Sequence, residues 1–388
     1  MVFHLIIMEN VSVYIHIPFC LQKCLYCDFY SVVADEKIME QYVDNLIVEI
    51  KLRASLLRGR TLLVKSIYFG GGTPSLLPID GIARILSTVY DNFSVSSTAE
   101  NSIEINPETA KLSLFREFLA LGLNRFSIGI QSFSDKDLRK LGRIHDAATG
   151  SEAILNAIAS GCQNINIDLI YAVPDQTLQE WRENLDIAAD QNCEHLSIYG
   201  MTIEPGTPLA AMVHDRSIVP ADEDLEREMY LVTMEHLESR GYQHYEISNY
   251  ALPGFVCQHN MTYWDGGNYL GFGAAAHSYW RDERSCNDSD VMTYIDRLRL
   301  GKLPVVSTET LSVEQKYIEH IMLGFRKTEG FSLREFSEKF GYDFLDKHRD
   351  QVTLLLQGDE PFLSIDQDRI KLTREGLLVY NEICRSFI

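Results

Sequence analysis

Positive charge is scarce in this chain. Its 388 residues carry 35 Lys and Arg against 55 Asp and Glu, a formal net charge of −20. Such a surface repels phosphate backbones and anionic headgroups, which argues against nucleic acid as a partner and against electrostatic docking on membranes. Long apolar runs are also missing, and none approaches the roughly 20 residues of a membrane-spanning helix. The opening MVFHLIIMEN is apolar but short and lacks the basic start of a signal peptide, and Met8 is a second candidate start. No cysteine framework is present. Cys162, Cys193, Cys257, Cys286 and Cys384 are scattered, as expected of free thiols in a reducing, cytoplasmic setting.

The remaining three cysteines lie together in VYIHIPFCLQKCLYCDFYS, Val13 to Ser31, as Cys20, Cys24 and Cys27 in C-x3-C-x2-C spacing. The apolar run before them reads as a buried strand ended by Pro18, so the thiols sit in a loop at the strand's C-terminal end. A structural zinc site wants four closed ligands, and a fourth near neighbour is missing. His16 lies within the strand at no usual ligand spacing. A [4Fe–4S] cluster held by three thiolates keeps one iron open. A zinc knuckle with a distant fourth ligand is the alternative.

Six apolar, β-branched runs precede residue 210: Val11–Phe19, Val64–Gly70, Ser102–Asn106, Arg125–Gln131, Asn164–Tyr171 and His195–Met201. Helical periodicity fills the gaps. Met39, Val43, Leu46 and Ile50 share one face, and Thr177-x-x-Glu180 is a capping box ahead of Leu178, Trp181 and Leu185. Repeated strand–helix alternation predicts an α/β fold with parallel strands, either an open doubly wound sheet or a barrel. In a barrel, the strand ends carry the chemistry. The second strand ends in Gly70-Gly71-Gly72-Thr73-Pro74, where glycines let the backbone approach a ligand. Glu104, Gln131, Arg143 and Asp168 fall at or beyond the following strand ends.

The cysteine spacing resembles the signature of the radical S-adenosylmethionine (radical SAM) enzymes. That resemblance implies a [4Fe–4S] cluster on Cys20, Cys24 and Cys27, SAM on the open iron, and a partial (β/α)6 barrel. It further implies SAM contacts from Gly71, Gly72 and Thr73, and a resemblance to the oxygen-independent coproporphyrinogen III oxidases within that family implies contacts from Tyr14, Glu104, Gln131, Arg143 and Asp168. Across nearly the whole chain, stretches such as IEPGTPL and YEISNYA resemble the oxygen-independent coproporphyrinogen III oxidase-like group. The oxidases carry a fourth cysteine two positions after the last cluster cysteine, and here that residue is Phe29. His259-Asn260-x-x-Tyr263-Trp264 is similar instead to the H-N-x-x-Y-W motif of haem chaperones in that group. An imidazole ligates haem iron and flat aromatics suit a macrocycle. His259, Asn260, Tyr263 and Trp264 are therefore the candidate haem residues, with His277 and Cys257 as further candidate ligands.

After Gly301-Lys302-Leu303-Pro304, two capping boxes, Ser312-x-x-Gln315 and Ser332-x-x-Glu335, open helices. A helix over Phe344–Leu356, a hairpin of Phe362–Ile365 with Arg369–Leu372, and a final helix after Thr373 complete a small winged-helix-like α+β domain. With 11 Lys and Arg against 14 Asp and Glu from Leu311 on, it has no basic footprint for DNA. Its expected role is a lid or docking surface over the barrel mouth. The expected organisation is a barrel over 1–250, a haem-motif and connecting segment over 251–310, and the C-terminal domain over 311–388. The resemblance implies delivery of haem to haem-requiring proteins, membrane-bound respiratory enzymes among them. It leaves room for a homodimer and a peripheral place at the membrane. The rival activities are oxidative decarboxylation of coproporphyrinogen III and another radical reaction on a tetrapyrrole.

Overall fold

The structure is a computed structural model that describes residues 8–33 and 35–388. The apolar opening, apart from Met8, lies outside the described residues. Six strands alternate with helices as the sequence predicts: β1 Glu9–Ile17, β2 Leu62–Gly71, β3 Ser94–Ile105, β4 Arg125–Gln131, β5 Ile165–Tyr171 and β6 His195–Gly200. They pair in sequence order, all parallel, as the partial (β/α)6 barrel. The strands are largely buried, save the polar first half of β3, because helices cover one face and the barrel interior the other. Helix α1, Glu36–Leu56, buries Met39, Val43, Leu46 and Ile50. Helix α2, Leu178–Asp190, opens on the reciprocal Thr177–Glu180 capping box and buries Trp181 and Leu185.

The sheet does not stop at six strands. β7 Gln243–Glu246 and β8 Asn249–Ala251 form an antiparallel hairpin against β6. At the opposite edge β9 Tyr269–Phe272 runs parallel to β1, and β10 His277–Trp280, β11 Glu283–Asn287 and β12 Val305–Thr310 follow antiparallel. The result is a 12-stranded sheet in the order β12-β11-β10-β9-β1-β2-β3-β4-β5-β6-β8-β7. Residues 251–310 thus extend the barrel sheet. The connection from the last barrel strands to β9, beside β1, is made by helix α3, Gln258–Trp264.

The C-terminal domain opens with helix α4, Val313–Arg326, on a reciprocal Ser312–Gln315 capping box. Helix α5, Leu333–Phe340, follows, with Ser332 as its N-cap. A three-stranded sheet joins Phe331–Ser332 to the expected hairpin, Leu363–Asp366 with Arg369–Leu372. The single helix expected over Phe344–Leu356 is two short helices, Phe344–Lys347 and Arg349–Leu355, broken at His348 (φ −115°, ψ 30°). The same happens at Val379 in the last helix. At His348 the break accompanies a tertiary contact: the ring bonds the Tyr317 hydroxyl and packs on Phe344 and Phe387.

Candidate functional site

A cavity of about 520 Å³ lies at the C-terminal ends of the barrel strands, within the usual size of cofactor pockets. All the candidate cluster and SAM residues line it, as do His259, Asn260 and Tyr263. The sequence placed them on one rim by topology, and the structure brings them together.

The cysteine loop is pinned to the glycine turn. Gly72 N–H donates to the Ile17 carbonyl at 2.8 Å and Thr73 N–H to the Phe19 carbonyl at 2.7 Å. A methyl on Gly72 would stand 2.7 Å from the Phe19 carbonyl oxygen and 3.0 Å from Cys20 Sγ, so only glycine fits. Gly71, at φ 114°, lies against the His16 ring. All three thiols are free and half-buried. Burial raises the pKa of Cys20 and Cys27. No three His, Cys, Asp or Glu among the described residues are gathered tightly enough for a single metal ion. The ligands of a cubane cluster sit on separate irons and lie farther apart than those of one ion.

Arg143 reaches back to this loop. Its guanidinium donates to Cys24 Sγ at 3.4 Å, to Asn106 Oδ1 at 2.9 Å and to the Gly129 carbonyl at 3.1 Å, while its Nε is buried without a partner. Glu104 accepts from the Tyr68 hydroxyl at 2.9 Å and from Gly71 N–H at 3.1 Å. Burial, then the neighbouring charge of Asp168, pushes its carboxyl up to about 7. A cation beside it would hold it ionised. Asp168, also raised by burial, accepts from Asn166 at 2.7 Å. Gln131 sits in the left-handed region (φ 67°), where the β4–β5 register slips, which re-aims its side chain at the strand end. Tyr14 holds His16 Nδ1 at 3.1 Å. These groups fit the family's cofactors: three half-buried free thiols on one loop, a carboxylate that rewards a cation, and a guanidinium between thiol and cavity.

Arg125 was missed by sequence reading. It opens β4, is 2% exposed, and its charge stabilises the ionised carboxylates of Glu104 and Asp168. A lone Arg heading an apolar strand was the available signal.

The haem motif is split. Helix α3 starts on Glu100, whose carboxylate accepts from Gln258 N–H, His259 N–H and the Cys257 thiol. His259 is 1% exposed. Its Nδ1 bonds Ser66 Oγ at 2.8 Å, its Nε2 bonds the Tyr263 hydroxyl at 2.9 Å, and its ring stacks on Tyr68. Burial, then the charge of Arg125, holds its pKa down to about 3. Both ring nitrogens are engaged, so His259 has no free lone pair to give an iron in this arrangement. Trp264 does not line the barrel cavity; it faces the other way, with Arg326 over its ring at 4.2 Å. Cys257 is fully buried, and His277 is exposed on β10 beside Cys286 at 3.4 Å. Phe29 lines the mouth, 65% exposed. No residue beyond Tyr263 lines the barrel cavity. The C-terminal domain is therefore not its lid; it packs behind α3, tied by Lys327 to Asp265 at 2.5 Å.

Strand ends, a glycine turn and a three-thiol loop in this arrangement define a radical SAM protein. Residues 14–188 match the radical SAM superfamily model, and residues 311–379 match the HemN C-terminal domain. The solved coproporphyrinogen III oxidase HemN from Escherichia coli superposes with a TM-score of 0.84 at 26% identity, over 98% of this chain and 90% of that one. The heme chaperone HemW of Bacillus subtilis (strain 168) is 32% identical over 378 residues, 97% of this chain and 99% of its own. That of Escherichia coli (strain K12) is 40% identical over 268 residues, 69% of each chain. The chain belongs to the HemW family.

Proposed function

We propose that the protein is a haem chaperone that binds haem and passes it to haem-requiring proteins, respiratory enzymes among them. The observation that carries this reading is the full-length likeness to the heme chaperones of the family. Phe29, standing where the oxidases carry a fourth cysteine, supports it over decarboxylation of coproporphyrinogen.

In this reading Cys20, Cys24 and Cys27 hold a [4Fe–4S] cluster. Gly71, Gly72, Thr73 and Glu104 receive the ammonium group of SAM, and Arg143 receives its carboxylate. Tyr14, Gln131 and Asp168 bind the rest of the cofactor. When bound, the pair supplies reductive carbon–sulfur cleavage. Arg143, bridging Cys24 and the Gly129 carbonyl, fixes the thiol loop relative to β4. Among the described residues no helix is long and apolar enough to cross a membrane. The protein would work in the cytoplasm and meet membrane-bound targets at the surface.

Haem is titrated into the anaerobically reconstituted protein, and the same preparation is assayed for protoporphyrinogen with SAM and reductant. Near-stoichiometric haem binding without decarboxylation is expected. Decarboxylation without haem binding would sink the reading.

A further inference from the structure

A second cavity, of about 640 Å³, opens between α3, the strands beyond it and the C-terminal domain. Trp264, Tyr269, Tyr279 and Phe331 give it aromatic walls. Six Lys and Arg line it against four Asp and Glu, the reverse of the chain as a whole. Most of these cations are paired: Arg284 with Glu319 and Lys316 with Asp282, both at 2.8 Å, and Arg369 with Glu329 at 3.0 Å. Lys339 differs. It stands exposed at the rim with no carboxylate partner among the described residues, and its polar contact is His320 Nδ1 at a long 3.5 Å.

His320 itself is half-buried among Phe331, Phe336 and Phe340, with centroids 5.4 to 5.7 Å away. Its Nε2 is buried without a partner. Burial, then the charges of Lys339 and Lys327, holds its pKa to about 4, so the ring is neutral at pH 7. Haem is a flat apolar disc with a nitrogen-seeking iron and two carboxylates on one edge. This cavity offers flat walls, a neutral imidazole and an unpaired ammonium. The barrel cavity offers His259, whose nitrogens are both engaged.

We propose that haem is seated in this second cavity, with a propionate on Lys339 and the imidazole of His320 offered to the iron. The two roles are coupled. In the structure the ammonium points at the ring, and a propionate that draws it away releases Nδ1. The contact given up is a weak one at this distance. Tyr263 lines both cavities, so α3 is the partition through which haem and SAM sites would sense each other. The inference rests on the haem-chaperone reading.

The test is haem titration of the full, reconstituted protein by absorption: wild type, Lys339→Glu, Lys339→Met, His320→Gly and His259→Gln. Cluster content and the unfolding midpoint check folding. Both Lys339 variants should weaken binding by about tenfold or more, the scale of one charge-assisted hydrogen bond, with glutamate the worse. His320→Gly should alter the ferric haem spectrum, and added imidazole should restore it. His259→Gln should keep the wild-type spectrum. Wild type that binds no haem overturns the chaperone reading itself. Wild type that binds while the Lys339 and His320 variants match it in affinity and spectrum overturns only this site. Loss of the wild-type spectrum in His259→Gln, with His320→Gly unchanged, returns the iron to His259.

Discussion

The two cavities on either side of α3 are built on opposite plans. At the barrel mouth the lining groups come from successive strand ends, and nearly every one is already tied to another: Glu104 to Tyr68 and Gly71, Asp168 to Asn166, His259 to Ser66 and Tyr263. Four carboxylates stand among three cations, and one of the four is raised to about 7. Behind α3 the walls come from α3, the strands after it and the C-terminal domain, cations outnumber acids, and Lys339 lacks a carboxylate partner among the described residues. A preorganised pocket with buried carboxylates beside thiols suits a cationic cofactor on a metal cluster. A looser cationic pocket suits an anionic cargo that must leave again.

The largest expected effect separates them outright. Cys24→Ala should abolish cluster content, measured as iron and sulfide, while haem binding survives. Joint loss would show that the cavities are one functional unit. Next, Arg143→Met should weaken SAM binding by about 10- to 100-fold, from roughly 1.5–3 kcal/mol for a hydrogen bond to a charged group. Haem affinity should not move in the same calorimetric comparison. His259→Phe takes away the Tyr263 hydroxyl's partner, leaves Ser66 with Ser12 alone, and should cost about 1–3 kcal/mol in urea unfolding. Adding Ser66→Ala should cost less than the two changes summed, because the groups share one network.

Stability should also fall as pH drops from about 6.5 toward 4. His259 is held to about 3, and His16, His244 and His320 to about 4, by burial. The unfolded imidazoles, titrating near 6.5, take up protons that the folded ones refuse, so each contributes at most about 1.4 kcal/mol per pH unit in that window. Glu104 works oppositely: its folded carboxyl keeps a proton between about 4.5 and 7, so stability drains as pH rises through that range. Urea melts from pH 4.5 to 8 should show the acid-side loss shrinking in His259→Gln and the neutral-side loss vanishing in Glu104→Gln. Smallest of all, Ser312→Ala removes the α4 cap and should cost about 1 kcal/mol, with neither cavity disturbed.

Much of the barrel was legible because its signals are local. Arg125–Gln131 and the Thr177–Glu180 box appear where they were read. The added strands β9 to β12 were not legible: they are four to six residues long, and their pairing is decided by distant partners. The breaks at His348 and Val379 escaped for a related reason, since periodicity runs through both. The haem motif is the sharpest case. Six consecutive residues were read as one site, yet a helix turns His259 inward and Trp264 outward, because residues five apart on a helix do not share a face.

The alternation of six strands with helices, the three-thiol loop and the glycine turn beside it follow from the order of amino acids alone. Those are written in spacing and composition, and local sterics enforce them. Folding in three dimensions was needed to engage His259 at both nitrogens, to set the C-terminal domain against a second cavity instead of over the first, and to bring Lys339 to His320. Those outcomes depend on which distant side chain supplies the missing hydrogen bond or charge. No local pattern encodes that partner; the closing of the sheet and the docking of the last domain select it.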